Sequence, residues 1–161
     1  MTEKHEDLWG TQFSARDLIT PRSILMQQAE VLNTHTSGVL FASVESGELD
    51  GSMGHVLKIQ APRLPNSLTS IVTVSHEAQL FPATVRSSAL SEVVVCHSLE
   101  TYTATIREVL SSAATRNCVS ALITHSNEQD RIQRTKQATY VIGPEENGST
   151  KRPTLVSAAT S

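Results

Sequence analysis

Apolar and polar positions change period several times along the chain, and each change marks an element. From Pro21 the residues Ile24, Leu25, Val31 and Leu32, with Gln28 between them, recur at spacings of three and four. That spacing gives one apolar face and predicts a helix over about Pro21–Asn33. Thr20 before Pro21 supplies a capping hydroxyl ahead of a proline that has no N–H to satisfy. Ser14–Ile19 offers a preceding turn, with Ser14 and Asp17 spaced as a capping pair. Residues 1–13 carry no period and read as a loose arm, pinned by Trp9 and Phe13.

After Gly38 the helical period stops. Val39–Val44 is short and apolar enough for a central strand, and Asp50-Gly51 lies in a turn cluster. His55–Ala61 alternates, with Leu57 and Ile59 on one face and Val56, Lys58 and Gln60 on the other. Pro62, Pro65 and Asn66 interrupt it. Leu68–His76 is a third strand rich in β-branched residues, expected to show Thr69, Ile71, Thr73 and Ser75 on one face. Pro82–Ser87 reads as a short fourth strand with an edge open to strand addition, and Val93–Cys96 fits a fifth.

Ser98 then caps a helix marked by Leu99, Tyr102, Ile106, Val109, Leu110 and Ala113. Thr115 is the expected cap of another, striped by Cys118, Val119, Leu122 and Ile123. Past Gln129 the pattern dissolves, so residues 129–161 read as a disordered tail in which Tyr140-Val141-Ile142 is a stray strand candidate. The expectation is one α+β domain over residues 1–128, ordered α-β-β-β-β-α-α. It has an antiparallel sheet of four strands, or five with Val93–Cys96, and helices on one face.

Composition narrows the class. The chain has 161 residues, 13 basic against 16 acidic, and a formal charge of −3. Nucleic-acid modules need a clustered positive surface, and single-strand readers need aromatics on the sheet, where only Phe41 is found. No nucleic-acid partner is therefore expected. No apolar run reaches the ~20 residues that cross a bilayer, and the opening MTEKHEDLWG is charged where a signal peptide is apolar. Two cysteines, Cys96 and Cys118, are too few for a disulfide scaffold. These readings point to a cytoplasmic protein without a membrane partner. Serine and threonine make up about a quarter of the chain, spread through apolar segments as caps and polar strand faces.

Candidate chemistry is thin. His35, His55, His76 and His97 are spaced 20, 21 and 21 residues apart, but none has a partner at i+3 or i+4 to build a metal site cheaply. No metal and no cofactor are expected. His76-Glu77 begins a zinc-protease motif that Leu80 breaks, since that motif needs histidine at the fourth position after the first. Cys96 and His97 are strand neighbours and face opposite sides. No G-x-S-x-G elbow and no phosphate-binding glycine loop is present.

Between Pro21 and Ser126 the order of residues resembles a set of small bacterial proteins with no established activity. The resemblance is carried by Ile24-Leu25, Gln28-Ala29, Leu32, Thr36 and Gly38, then by Ala61-Pro62-x-Leu64-x-Asn66 and Val74-Ser75-His76. It continues through Leu80-Phe81-Pro82-Ala83-Thr84-Val85 and Glu108-Val109-Leu110-Ser111-Ser112 with Thr115. It implies a bacterial origin and these boundaries, and it directs attention to Pro62, Asn66, His76, Glu77 and Phe81 as interaction candidates. The expected function is a non-catalytic protein-interaction or regulatory module, of the immunity, defence-accessory or chaperone-like kind. Its partner would be a protein, with a sheet edge as a route to a homodimer. The alternative is a small-molecule or nucleotide sensor, or a hydrolase using His76 and Glu77; a pocket lined by His55, His76 and a carboxylate would favour it.

Overall fold

The computed structural model describes residues 19–141. Its elements are α1 (Pro21–His35), β1 (Phe41–Leu49), β2 (Ser52–Gln60), β3 (Thr69–His76), β4 (Ala83–Arg86), β5 (Val94–Cys96), α2 (Leu99–Ser111) and α3 (Ala113–Val141). The strands form one antiparallel sheet in the order β1-β2-β3-β4-β5, so every strand pairs with its sequence neighbour. This is the expected α+β architecture, with Val94–Cys96 joining as a fifth strand. The N-terminal arm, residues 14–18 of the turn expected after it, and the tail beyond Val141 lie outside the described residues.

Local chemistry explains where the helices begin. Thr20 Oγ1 accepts from the Ser23 amide, and the Ser23 hydroxyl is hydrogen-bonded in return to the Thr20 amide. Ser98 and Thr101 repeat this reciprocal cap at the start of α2. The cap of α3 is Ser112, whose hydroxyl accepts from the Thr115 amide at 3.1 Å. Thr115 is instead buried one turn in, donating to the Val109 carbonyl at 2.7 Å. The expectation of a Thr115 cap misses because Ser112 alone separates the two helices.

The core lies between the sheet and the helices. α1 covers β1 and β2, while α2 covers β3, β4 and β5. Ala42, Leu57, Ile59, Val72, Val74 and Val85 are buried under them. Tyr102 is fully enclosed, and its hydroxyl donates to the Pro21 carbonyl at 3.0 Å, which ties α2 to the first turn of α1.

Three further expectations change. The register slips between Leu57 and Lys58, where Leu57 pairs with Val72 but Lys58 pairs with Ser70. Ile71 is the extra residue, and the slip moves Thr69 to the face of Ile59, away from Thr73 and Ser75. Second, β4 is interior, so the open edges are β5 and β1, the strand expected at the sheet centre. On β1 the Asn33 side chain occupies part of the edge, accepting from the Ala42 amide at 2.6 Å and donating to its carbonyl at 3.0 Å. Third, the segment read as a tail from Gln129 continues α3 as helix to Val141, so Tyr140-Val141 is no strand.

Candidate functional site

The site begins with a two-residue turn. Asp50 and Gly51 both take positive φ, 51° and 80°, the geometry that matches the twist of a two-residue hairpin. The turn fixes the β1–β2 register, pairing Leu49 with Ser52, then Gly47 with Gly54 two pairs on and Ser46 with His55 three pairs on. A Cβ at Gly54 would stand 2.7 Å from Leu49 Cβ, so this close approach requires glycine. On the same face, β2 and β3 pair His55 with Val74 and Met53 with His76, which sets the two histidines diagonally across neighbouring strands.

Their rings meet. His55 Nε2 and His76 Nε2 are 3.0 Å apart, with ring centroids separated by 5.1 Å. His55 is 4% exposed and His76 5%. At the far end, His76 Nδ1 is 2.7 Å from the Glu77 carbonyl oxygen. A carbonyl only accepts, so His76 Nδ1 carries the hydrogen, and its Nε2, in the neutral ring, must accept. His55 Nε2 therefore donates, and His55 Nδ1 presents its lone pair. That lone pair faces Ser46 Oγ at 2.9 Å, so the Ser46 hydroxyl donates to it. Arg22 Nε in turn donates to Ser46 Oγ at 3.1 Å. One carbonyl thus sets the tautomers of two rings and the direction of the whole chain.

The chain ends in an open cleft. Ser46, Gly47, Glu48, Met53, His55, Glu77 and Ala78 are among its lining residues, and its volume is about 730 Å³. Ser46 is exposed, whereas the rings behind it are not. Burial, then the neighbouring His76, then the Arg22 guanidinium lower the pKa of His55 below its ordinary 6.5. The ring facing Ser46 is consequently an unprotonated base at neutral pH.

The sequence candidates separate. His76 and Glu77 belong to this end of the sheet, as does Phe81, half-buried 6.2 Å from Tyr102 ring to ring. Pro62 and Asn66 sit in the β2–β3 connection at the opposite end, exposed, with Asn66 at φ 57°. His35 and His97 are exposed and take no part, so the even histidine spacing brings together only its middle pair. Sequence reading named His76, and His55 beside it as a pocket residue that would favour catalysis, but missed Ser46 and Arg22 as their companions. The signal was the Asp50-Gly51 turn, since counting outward from it lands Ser46 opposite His55. Cys96 is buried with its thiol 3.5 Å from Thr105 Oγ1, while His97 is exposed, so the two do not meet. Among the described residues no three His, Cys, Asp or Glu side chains cluster closely enough to hold a metal ion.

A second region differs in kind. In α3, Ser126 is buried and Asp130 pairs with Arg63 of the β2–β3 connection. Every residue from Arg131 to Tyr140 is exposed, including Ile132 and Tyr140 at 47% and 93%. Among the described residues no helix is long and apolar enough to cross a membrane. No family model, curated protein or solved structure matches the chain.

Proposed function

We propose that the protein is a protein-interaction module that presents the distal part of α3 to a partner. The observation supporting this reading is the stretch Arg131–Tyr140, helical throughout and exposed throughout. Most helical stability in proteins comes from tertiary packing, and ten residues without it are marginal. Thr135 and Thr139, whose hydroxyls bond back to the carbonyls of Arg131 and Thr135, do not strengthen it. A partner surface would supply the missing contacts.

The chemistry of the stretch describes that partner. Ile132, Thr135, Lys136, Thr139 and Tyr140 share one side of the helix. Arg131, Arg134 and Lys136 are basic, and no acidic residue lies between Arg131 and Val141. The complement is a protein groove with an apolar floor and carboxylates at its rim, entered by a helix. To test this, a photo-crosslinking side chain at Thr139 of the full chain identifies the bound protein in extract. Titration of that purified protein follows. Binding is expected to weaken about tenfold or more in Ile132→Asp and Tyr140→Asp. Equal affinity for wild type and both variants refutes the reading, and a crosslink to a second copy names the partner as the protein itself.

A further inference from the structure

We propose that Ser46 is a nucleophile for acyl transfer, with His55 as its general base and His76 positioning His55, acting on small carboxylic esters that enter the adjoining cleft. This goes beyond the binding role, does not rest on it, and departs from the expectation of a chain without catalysis.

Four observations carry it. The nucleophile is reachable, because Ser46 is exposed at a cleft of about 730 Å³, a size that suits a small ligand. The base is in place, because Ser46 Oγ lies 2.9 Å from His55 Nδ1 and donates to it. The base is oriented, because His76 accepts from His55 Nε2 and is fixed in turn by the Glu77 carbonyl. This is the role that a third group plays in any nucleophile–base pair: it holds the ring in the tautomer whose lone pair faces the hydroxyl.

The fourth observation concerns the charge that develops on the substrate oxygen. Asn33 bonds both backbone groups of Ala42, so these point away from β2. Antiparallel ladders alternate, and β1 pairs with β2 without a slip. The backbone groups of Ser46, four residues on, therefore also point away from β2. The Ser46 N–H is thus left free of the β1–β2 ladder, and the Arg22 guanidinium donates to Ser46 Oγ; these two are the donors assigned to the oxyanion.

The step balances without a co-reactant other than water. Ser46 Oγ attacks the ester carbonyl carbon as its proton passes to His55 Nδ1. The bond from that carbon to the alkoxy oxygen breaks, and the departing oxygen takes the proton from His55. Water, deprotonated by His55, then attacks the acyl-serine and releases the carboxylic acid, returning Ser46 to its hydroxyl. During both proton transfers His55 carries positive charge, still donating through Nε2 to the neutral His76.

The test uses the full chain with a fluorophosphonate probe and with p-nitrophenyl butyrate. Peptide mapping is expected to place the phosphonyl adduct on Ser46, and Ser46→Ala to abolish it. Labelling should slow about a hundredfold in His55→Gln. His76→Gln, which keeps an acceptor for His55 Nε2, should retain more activity than His76→Leu. The wild-type rate should rise with pH as His55 deprotonates, among Arg22 from α1, Ser46 and Glu48 from β1, and His76 and Glu77 from β3 and its end. An unmodified Ser46 in folded wild-type protein overturns the proposal and needs no variant. Equal labelling in a folded His55→Gln, or a flat wild-type pH profile, overturns the role of His55. Equal rates in His76→Gln and His76→Leu overturn the positioning role of His76.

Discussion

The hydrogen-bonded chain from Arg22 to Glu77 and the outer part of α3 are both polar, but they are held in place by opposite means. In the first, each group has a partner at hydrogen-bond distance, and burial of His55 and His76 makes the bond between the two rings matter because no water replaces it. In the second, ten consecutive residues touch little beyond their own helix. The difference teaches that polarity alone says nothing about rigidity. A hydrogen-bonded polar group under a helix layer is among the most constrained parts of this molecule, and a solvated one at the end of α3 among the least.

This contrast can be attacked from both sides. The largest effect is expected for His55→Leu, which removes the donor to His76 and leaves a buried ring nitrogen without a partner. A loss of about 2–3 kcal/mol in urea unfolding is expected, with an unchanged denaturant slope; a loss no greater than that of a surface substitution would show that the chain does not stabilise the fold. Acid comes next. The folded pKa of His55 lies below 6.5, so below that pH the unfolded chain binds more protons than the folded one. Stability should therefore fall as pH drops through 6.5 towards the lowered value, and His55→Gln should flatten that part of the profile. The smallest effects compare two exposed alanines of α3. Ala121→Gly is expected to cost about 1 kcal/mol of global stability, as in an ordinary helix interior. Ala138→Gly should cost less than about 0.5 kcal/mol, because its region opens before the domain does. Equal costs would mean that α3 melts as one unit, and the distinction between its two parts would be lost.

Much of the fold could be read from local chemistry. Thr20-Pro21 and Ser98 mark helix starts because a hydroxyl and a missing N–H act within one turn. Leu57 and Ile59 face the core because side-chain alternation is itself local. What was not legible depends on cross-strand placement. The face of Thr69 is decided by the extra residue Ile71 in its own strand, and nothing in the local sequence marks Ile71 as a bulge. Distal α3 looks like a tail because it has no apolar stripe, and a helix that packs on nothing needs none. The site was half legible. His76 stands out as a chemistry-bearing residue at a strand end, whereas its link to His55 follows only once two strands are placed side by side. Ser46 was missed although a signal for it existed, since a two-residue turn fixes the register opposite His55.

The paired caps at Thr20–Ser23 and Ser98–Thr101 have a consequence for how the molecule meets its surroundings. Both starts are closed by two hydroxyl side chains, where an acidic residue commonly takes the second place. Hydroxyls do not ionise in the pH range a cell visits, and salt does not screen the bonds they make. The starts of α1 and α2 are thus electrically silent: acid or brine leaves these bonds as they were. Acidification would then meet unchanged helix starts, while the protonation of buried His55 alters the chain beneath them.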